Sequence, residues 1–136
     1  MTLTFSQCFV PVTDPEAALT FYRDVLGLEL RSDVAREDLR WMVLGSPSQP
    51  GVAICVTNYL GSGPADIDTM SALVAKGALG GVHFQSDDLD ATFEKVRAAG
   101  ADIVQEPTDQ PWGTRDFAVR DPSGNLIRVD QPPAGP

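Results

Sequence analysis

Near the start of the chain, apolar residues change from the spacing of a strand to that of a helix and back again. Residues 5–12, FSQCFVPV, are typical of a strand. Asp14 and Pro15 then predict a helix start, with Asp14 as N-cap and Pro15 in the first turn, and Gly27 predicts its end. The predicted apolar stripe consists of Ala18, Phe21 or Tyr22, and Val25. Three short strands are predicted near 28–34, 39–45 and 51–57.

The second half of the chain repeats this order of elements. A strand is predicted over 81–86, a helix begins at Asp87 or Asp88, and Gly100 ends it. The apolar residues of this helix are Leu89, Phe93 and Val96. Strands follow near 101–105, 114–120 and 125–130, and the turn DPSGN joins the last two.

The two halves match at a constant offset. The pairs Asp14 and Asp87, Gly27 and Gly100, and Gly51 and Gly124 are each 73 positions apart. A repeated supersecondary unit predicts an α+β fold of two tandem β-α-β-β-β units, 5–57 and 80–131, forming half-open barrels around a cavity within one domain, 1–136. The connector 58–79 is expected to be a lid, a pocket wall or loosely ordered, and 67–76 is a candidate short helix.

Composition limits the partners. The net charge of −9 argues against nucleic acid. No run of 18 apolar residues could span a membrane, and MTLTFSQCF lacks the features of a signal peptide, so a cytoplasmic protein is expected. Two cysteines do not form a disulfide scaffold, and Cys8 and Cys55 are expected to be buried free thiols.

Two motifs carry a resemblance to a known family. The segments DPEAALTFYRDVLGL in the first unit and DPSGNLIRV in the second resemble the vicinal oxygen chelate superfamily. This superfamily includes glyoxalase I, extradiol dioxygenases, fosfomycin-modifying enzymes and bleomycin-resistance proteins. The resemblance covers about Phe5 to Gln131 and implies two half-open sheets around a cavity, often in a homodimer.

The resemblance also implies positions for four metal ligands, on the first and last strands of each unit. These positions hold Gln7, Cys55, Gly81 or Gly80, and Arg128. Glycine has no donor atom, and the guanidinium of Arg128 is a permanent cation. We therefore expect no metal cofactor, the alternative being a divalent ion held by Gln7 and His83.

Strand alternation and the resemblance together give the candidate ligand-binding residues. These are Gln7, Phe9, Trp41, Cys55, His83, Gln85, Trp112, Arg115 and Arg128. His83, the only histidine, is a candidate general base or relocated ligand, or else a hydrogen-bonded residue of the pocket wall. Trp41 and Trp112 either stack on a ligand or pack in the core or at the rim.

Two functions remain open at this point. The first is a metal-independent small-molecule-binding protein that resembles the bleomycin-resistance type, with a partly aromatic or apolar ligand. Arg128 is expected to favour a carboxylate or phosphate over a strong cation. The second is a glyoxalase- or dioxygenase-like enzyme with a site rebuilt around Gln7 and His83, or an acid–base catalyst that uses His83 and Arg128. A homodimer is expected in either case.

Overall fold

The protein folds into two four-stranded sheets, each with a helix against one face. The computed structural model describes residues 1–132. The first unit contains β1 (Gln7–Pro11), α1 (Pro15–Leu19) with a π-helical continuation (Thr20–Val25), β2 (Glu29–Arg36), β3 (Leu39–Gly45) and β4 (Ala53–Thr57). The connector contains α2 (Pro64–Ala75). The second unit contains β5 (Val82–Gln85), α3 (Leu89–Ala98), β6 (Asp102–Asp109), β7 (Arg115–Arg120) and β8 (Leu126–Gln131).

The strand order is the same in both sheets. It is β1-β4-β3-β2 in the first and β5-β8-β7-β6 in the second. The outer pairs β1–β4 and β5–β8 are parallel, and the remaining neighbours are antiparallel. The sheets are curved and open rather than closed, and the predicted α+β fold of two tandem units is confirmed.

The 73-residue offset also appears in the structure. Strand β6 is displaced from β2 by 73 residues at both ends, and β8 begins 73 residues after β4. Gly27 and Gly100 end the two unit helices with φ of 81° and 83°, a left-handed conformation that glycine adopts without penalty. The two units are therefore copies of one supersecondary structure.

Each unit helix begins at a capping aspartate. Asp14 accepts a hydrogen bond from the Ala17 N–H at 3.1 Å. In the second unit, where the sequence left two candidates, Asp88 accepts from the Ala91 N–H at 3.1 Å. These contacts satisfy N–H groups that have no partner within the helix.

The π-helical continuation explains why two adjacent aromatic residues are both buried. The Leu26 N–H donates to the Phe21 carbonyl five residues earlier, at 2.9 Å. The wider turn directs both Phe21 and Tyr22 into the core. The α-helical spacing predicted from the sequence had room for only one of the two in the apolar stripe. Val25 is only partly buried and packs against the same core.

The two cysteines differ in burial. Cys55 on β4 is buried, as expected, and burial raises the pKa of its thiol. Cys8 is exposed, so the expectation of a buried thiol is wrong at this position. Val10 on the same strand is buried, but Cys8 lies beside a small cavity of about 210 Å³ between the units.

A buried hydrogen-bond network around Asp121 joins the units. The Tyr22 hydroxyl donates to Asp121 Oδ2 at 2.7 Å, across 99 residues of sequence. The N–H groups of Ser123, Gly124 and Asn125 all donate to Asp121 Oδ1 at 2.9 Å. Burial, and next the charge of Asp121, raise the pKa of Tyr22 well above its usual value.

The first unit has no equivalent of this network. Lys95 and Ser48 stand at the repeat positions of Tyr22 and Asp121. Its own β3–β4 hairpin is instead held by Arg31, whose guanidinium donates to the carbonyls of Ser46 and Val52 at 2.9 Å. The repeat is therefore asymmetric. The β7–β8 hairpin contacts the first unit through Asp121, whereas the Arg31 contacts stay within the first unit.

The connector helix packs against the protein only near its C-terminal end. Val74 is its one buried residue, and the end of α2 lies against Gly124. A Cβ at Gly124, which has φ of 114°, would lie 2.5 Å from the Val74 carbonyl oxygen and 2.6 Å from that of Ala75. The absent side chain thus permits the helix to dock on the turn that also contacts Tyr22.

We expect Tyr22→Phe to lower the free energy of unfolding by about 1.5–3 kcal/mol, because it removes a buried hydrogen bond to a charged acceptor. Tyr59→Phe, at an exposed tyrosine, is the matched control and should change it by less than about 0.5 kcal/mol. Urea unfolding at neutral pH measures both effects.

The raised pKa of Tyr22 also determines how the free energy of unfolding depends on pH. The folded protein holds the Tyr22 proton more tightly than the unfolded chain, so this stabilisation is present at neutral pH and declines above about pH 10. Tyr22→Phe should remove that component of the decline. Equal stability of Tyr22→Phe and Tyr59→Phe would contradict the assignment.

Candidate functional site

A cavity of about 510 Å³ lies on the face of the second sheet opposite its helix. Its walls come from β5, β6, β7, β8 and the turn between β6 and β7. The lining residues are His83, Gln105, Gln110, Trp112, Thr114, Asp116, Arg128 and Asp130. All of them belong to the second unit, and their side chains supply the donors, acceptors and aromatic surface of a ligand pocket.

A buried carboxylate forms the base of this cavity. Asp116 is 3% exposed, and its Oδ1 accepts from Gln105 Nε2 at 2.9 Å and Gln110 Nε2 at 2.8 Å. Its Oδ2 accepts from Arg128 Nη1 at 3.2 Å. Burial opposes ionisation, but the hydrogen bonds from Gln110 and Gln105 and the charge of Arg128 outweigh it and lower the pKa of Asp116.

Arg128 is therefore paired and still open to the cavity. Its side chain is 32% exposed, and one Nη1–H group is directed to Asp116. Guanidinium carries five N–H donors in a rigid plane, so further donors remain for a ligand. Beside it, His83 Nε2 lies 3.5 Å from Asp130 Oδ2, at the outer limit of a hydrogen bond.

The corresponding face of the first sheet is largely apolar. Strand register places Phe9 beside Cys55, and Cys55 beside Val43. Trp41, on the same face, stacks on Tyr59 with ring centroids 6.1 Å apart. Phe9 is 66% exposed, so this apolar face is uncovered in the single chain.

The structure divides the predicted ligand-binding residues into separate groups. His83, Trp112 and Arg128 line the cavity of the second sheet. Gln7, Phe9, Trp41 and Cys55 lie on the face of the first sheet instead.

Two predicted residues lie elsewhere. Gln85 lines a neighbouring groove between the units. Arg115 does not line this cavity, because its guanidinium donates to Asp90 at 3.1 Å and to Asp109 at 3.4 Å; a contact between Arg115 and a ligand stays a prediction.

Five residues of the cavity are absent from the sequence prediction. These are Gln105, Gln110, Thr114, Asp116 and Asp130. Asp130 shares the strand alternation of Arg128, so it could have been found. Asp116 is the first residue of the segment DFAV. Only the register between β7 and β8 shows that it lies opposite Asp130.

The residues at the expected metal positions do not fit a divalent cation. A Cβ at Gly81 would lie 1.7 Å from the Leu126 carbonyl oxygen, so this position has no room for any ligating side chain. Arg128 places a cation where a carboxylate would be needed. Within residues 1–132 no three side chains among His, Cys, Asp and Glu form a candidate metal cluster. Gln7 and His83, the alternative pair, lie on different sheets.

The chain belongs to the Glyoxalase/Bleomycin resistance protein/Dioxygenase superfamily, which it matches over residues 4–129. A probable lactoylglutathione lyase of Vibrio parahaemolyticus is 30% identical over 125 residues, covering 88% of this chain and 84% of that protein. Within residues 1–132, no helix has the length and apolar character needed to cross a membrane.

Several solved structures have a similar fold and sequence. UcmS2 is 31% identical with a TM-score of 0.84, and the match covers 96% of this chain and 98% of UcmS2. TnmS3, described as an antibiotic binding protein from Streptomyces sp. CB03234, is 28% identical with a TM-score of 0.75, over 97% and 98% of the two chains. TioX from Micromonospora sp. ML1 is also 28% identical, with a TM-score of 0.68 over 95% and 98%.

Proposed function

We propose that the protein binds a small organic molecule without a metal, in the manner of sequestering proteins of the bleomycin-resistance type. The observation that carries this proposal is the Arg128–Asp116 pair, which stands where a metal enzyme of this family would need its last carboxylate ligand. The cavity around the pair offers hydrogen-bond donors and an aromatic surface, which are the features of an organic ligand site.

Trp112 gives the aromatic part of this site. Its side chain lines the cavity and is 71% exposed. An indole with this exposure offers a flat surface on which an aromatic or apolar ligand can stack. The similarity to TnmS3, described as antibiotic binding, supports a ligand of this kind.

The site further supports a homodimer. Strands β1 and β5 are both sheet edges, and among the described residues neither edge pairs with a further strand. Phe9 and Trp112 are exposed on the two sheet faces. A second copy that places its first sheet over the cavity of the second sheet would cover both residues and complete two equivalent cavities about a twofold axis.

An enzymatic function is the second candidate, and one observation favours it. Asp130 lies 3.5 Å from His83 Nε2, where it could orient the imidazole as a general base. The relative described as a probable lactoylglutathione lyase points in the same direction. A site built on Gln7 and His83 would need the first sheet of another copy, because Gln7 does not line the cavity in one chain.

A thermal-shift screen of natural products and metabolites tests the binding proposal. A ligand at one hundred times its Kd should stabilise the protein by about 2.7 kcal/mol, and Trp112→Ala should remove most of that shift. Ile67→Ala, at an exposed apolar residue of α2, is the control and should leave it unchanged. Catalytic turnover of the ligand that is lost in His83→Ala would instead establish the enzymatic function.

Sedimentation equilibrium tests the homodimer. We expect a dimer at micromolar concentration and a monomer after Phe9→Glu, because a carboxylate would be buried without a partner at the interface. Val104→Glu, at an exposed position on β6, is the control and should remain dimeric. A wild-type protein that sediments only as a monomer would contradict the dimer.

A further inference from the structure

The geometry points to a preference within the proposed site: we infer that the cavity selects an uncharged aromatic ligand whose carbonyl oxygen accepts from Arg128, and that it discriminates against a carboxylate. This inference rests on the proposed binding function and narrows it to a ligand class. It also reverses what the sequence alone predicts, since an isolated cavity arginine would favour an anion.

The reversal follows from the pairing of Arg128. The carboxylate of Asp116 contacts its guanidinium at 3.2 Å and is itself buried. Because two glutamine side chains, Gln105 and Gln110, donate to the other oxygen of Asp116, that carboxylate is held in its ionised form beneath the arginine. The positive charge of Arg128 is thus already compensated by the protein.

The remaining charge at the cavity is negative. Asp130 also lines it, so the cavity has one arginine and two aspartates, with His83 beside them. The apolar face of the first sheet, which would cover the cavity in a dimer, presents the uncharged Phe9 and Trp41 over the buried Cys55, and Arg36 lies on the same face next to the β2–β3 turn. A ligand carboxylate placed at Arg128 would lose its hydration and gain no uncompensated cation there.

A neutral carbonyl oxygen meets no such penalty. The remaining N–H groups of Arg128 can donate to it while Nη1 stays on Asp116. Asp116 is therefore a positioning residue that fixes the donor plane before the ligand arrives, and this reduces the entropy lost on binding. The aromatic body of the same ligand would lie on Trp112.

Three probes of similar size and different charge test the inference: 2-naphthamide, 2-naphthoate and protonated 2-naphthylmethylamine. Binding at neutral pH is followed through the indole N–H resonance of Trp112, and calorimetry gives the affinities. We expect the amide to bind at least about tenfold more tightly than the carboxylate, which corresponds to about 1.4 kcal/mol. The amide should also bind more tightly than the amine.

Two variants test whether Arg128 and Asp116 cause the preference for the amide over the carboxylate. Arg128→Met should weaken binding of the amide by about tenfold, whereas Arg97→Met, which removes an exposed arginine of α3 on the other side of the sheet, should not. Asp116→Asn should raise the affinity for naphthoate relative to naphthamide by about tenfold, because it leaves Arg128 uncompensated. Asp68→Asn, at an exposed aspartate of α2, is the charge-matched control.

The outcomes separate the inference from the proposed function. Naphthoate or the amine binding to wild-type protein as tightly as naphthamide would overturn the inference and leave the binding function standing. Failure of all three probes to shift the Trp112 resonance at millimolar concentration would overturn both. The wild-type comparison needs no variant, so it decides the question even if Arg128→Met or Asp116→Asn does not fold.

Discussion

The buried contact between Tyr22 and Asp121 determines how the two halves of this protein sit against each other. It joins the first helix to the last hairpin, and the same turn supports the end of the connector helix through Gly124. The carboxylate of Asp121 is satisfied on both oxygens, so the turn is rigid where it meets the first unit. The helices of both units pack with one face of each sheet in a single core, so the opposite face of each sheet is left open to solvent or to a second copy.

The two open faces have diverged in chemistry while keeping the same backbone. The first presents Phe9 and Trp41, and the second presents Arg128, Asp116 and His83. A duplicated unit whose copies carry an apolar and a polar face can hold a ligand with an aromatic body and a polar end. In place of the cation that metal-using members of the superfamily bind, the protein contains its own fixed cation with its own counter-charge. We propose that the protein keeps the family's fold and binds its ligand without a metal ion.

The sequence predicts the fold well, because helix caps and glycine helix ends are local signals. Asp14, Gly27 and Gly100 lie where those signals place them. The π-helical turn was beyond prediction, since it depends on core packing of Phe21 and Tyr22. The cavity was predicted only in part: alternation finds His83 and the family resemblance finds Arg128, but neither finds Asp116, whose position depends on register between strands. Arg115 lies outside the cavity because its guanidinium pairs with Asp90 of α3 and Asp109 of β6, and sequence alternation does not reveal such pairings.

A crystal structure grown with both 2-naphthamide and Zn²⁺ would test the central claim directly. The account predicts the amide oxygen within hydrogen-bond distance of the Arg128 guanidinium, with the contact to Asp116 intact and the ring on Trp112. A zinc ion held by Gln7 and His83, with Arg128 turned away from Asp116, would contradict it.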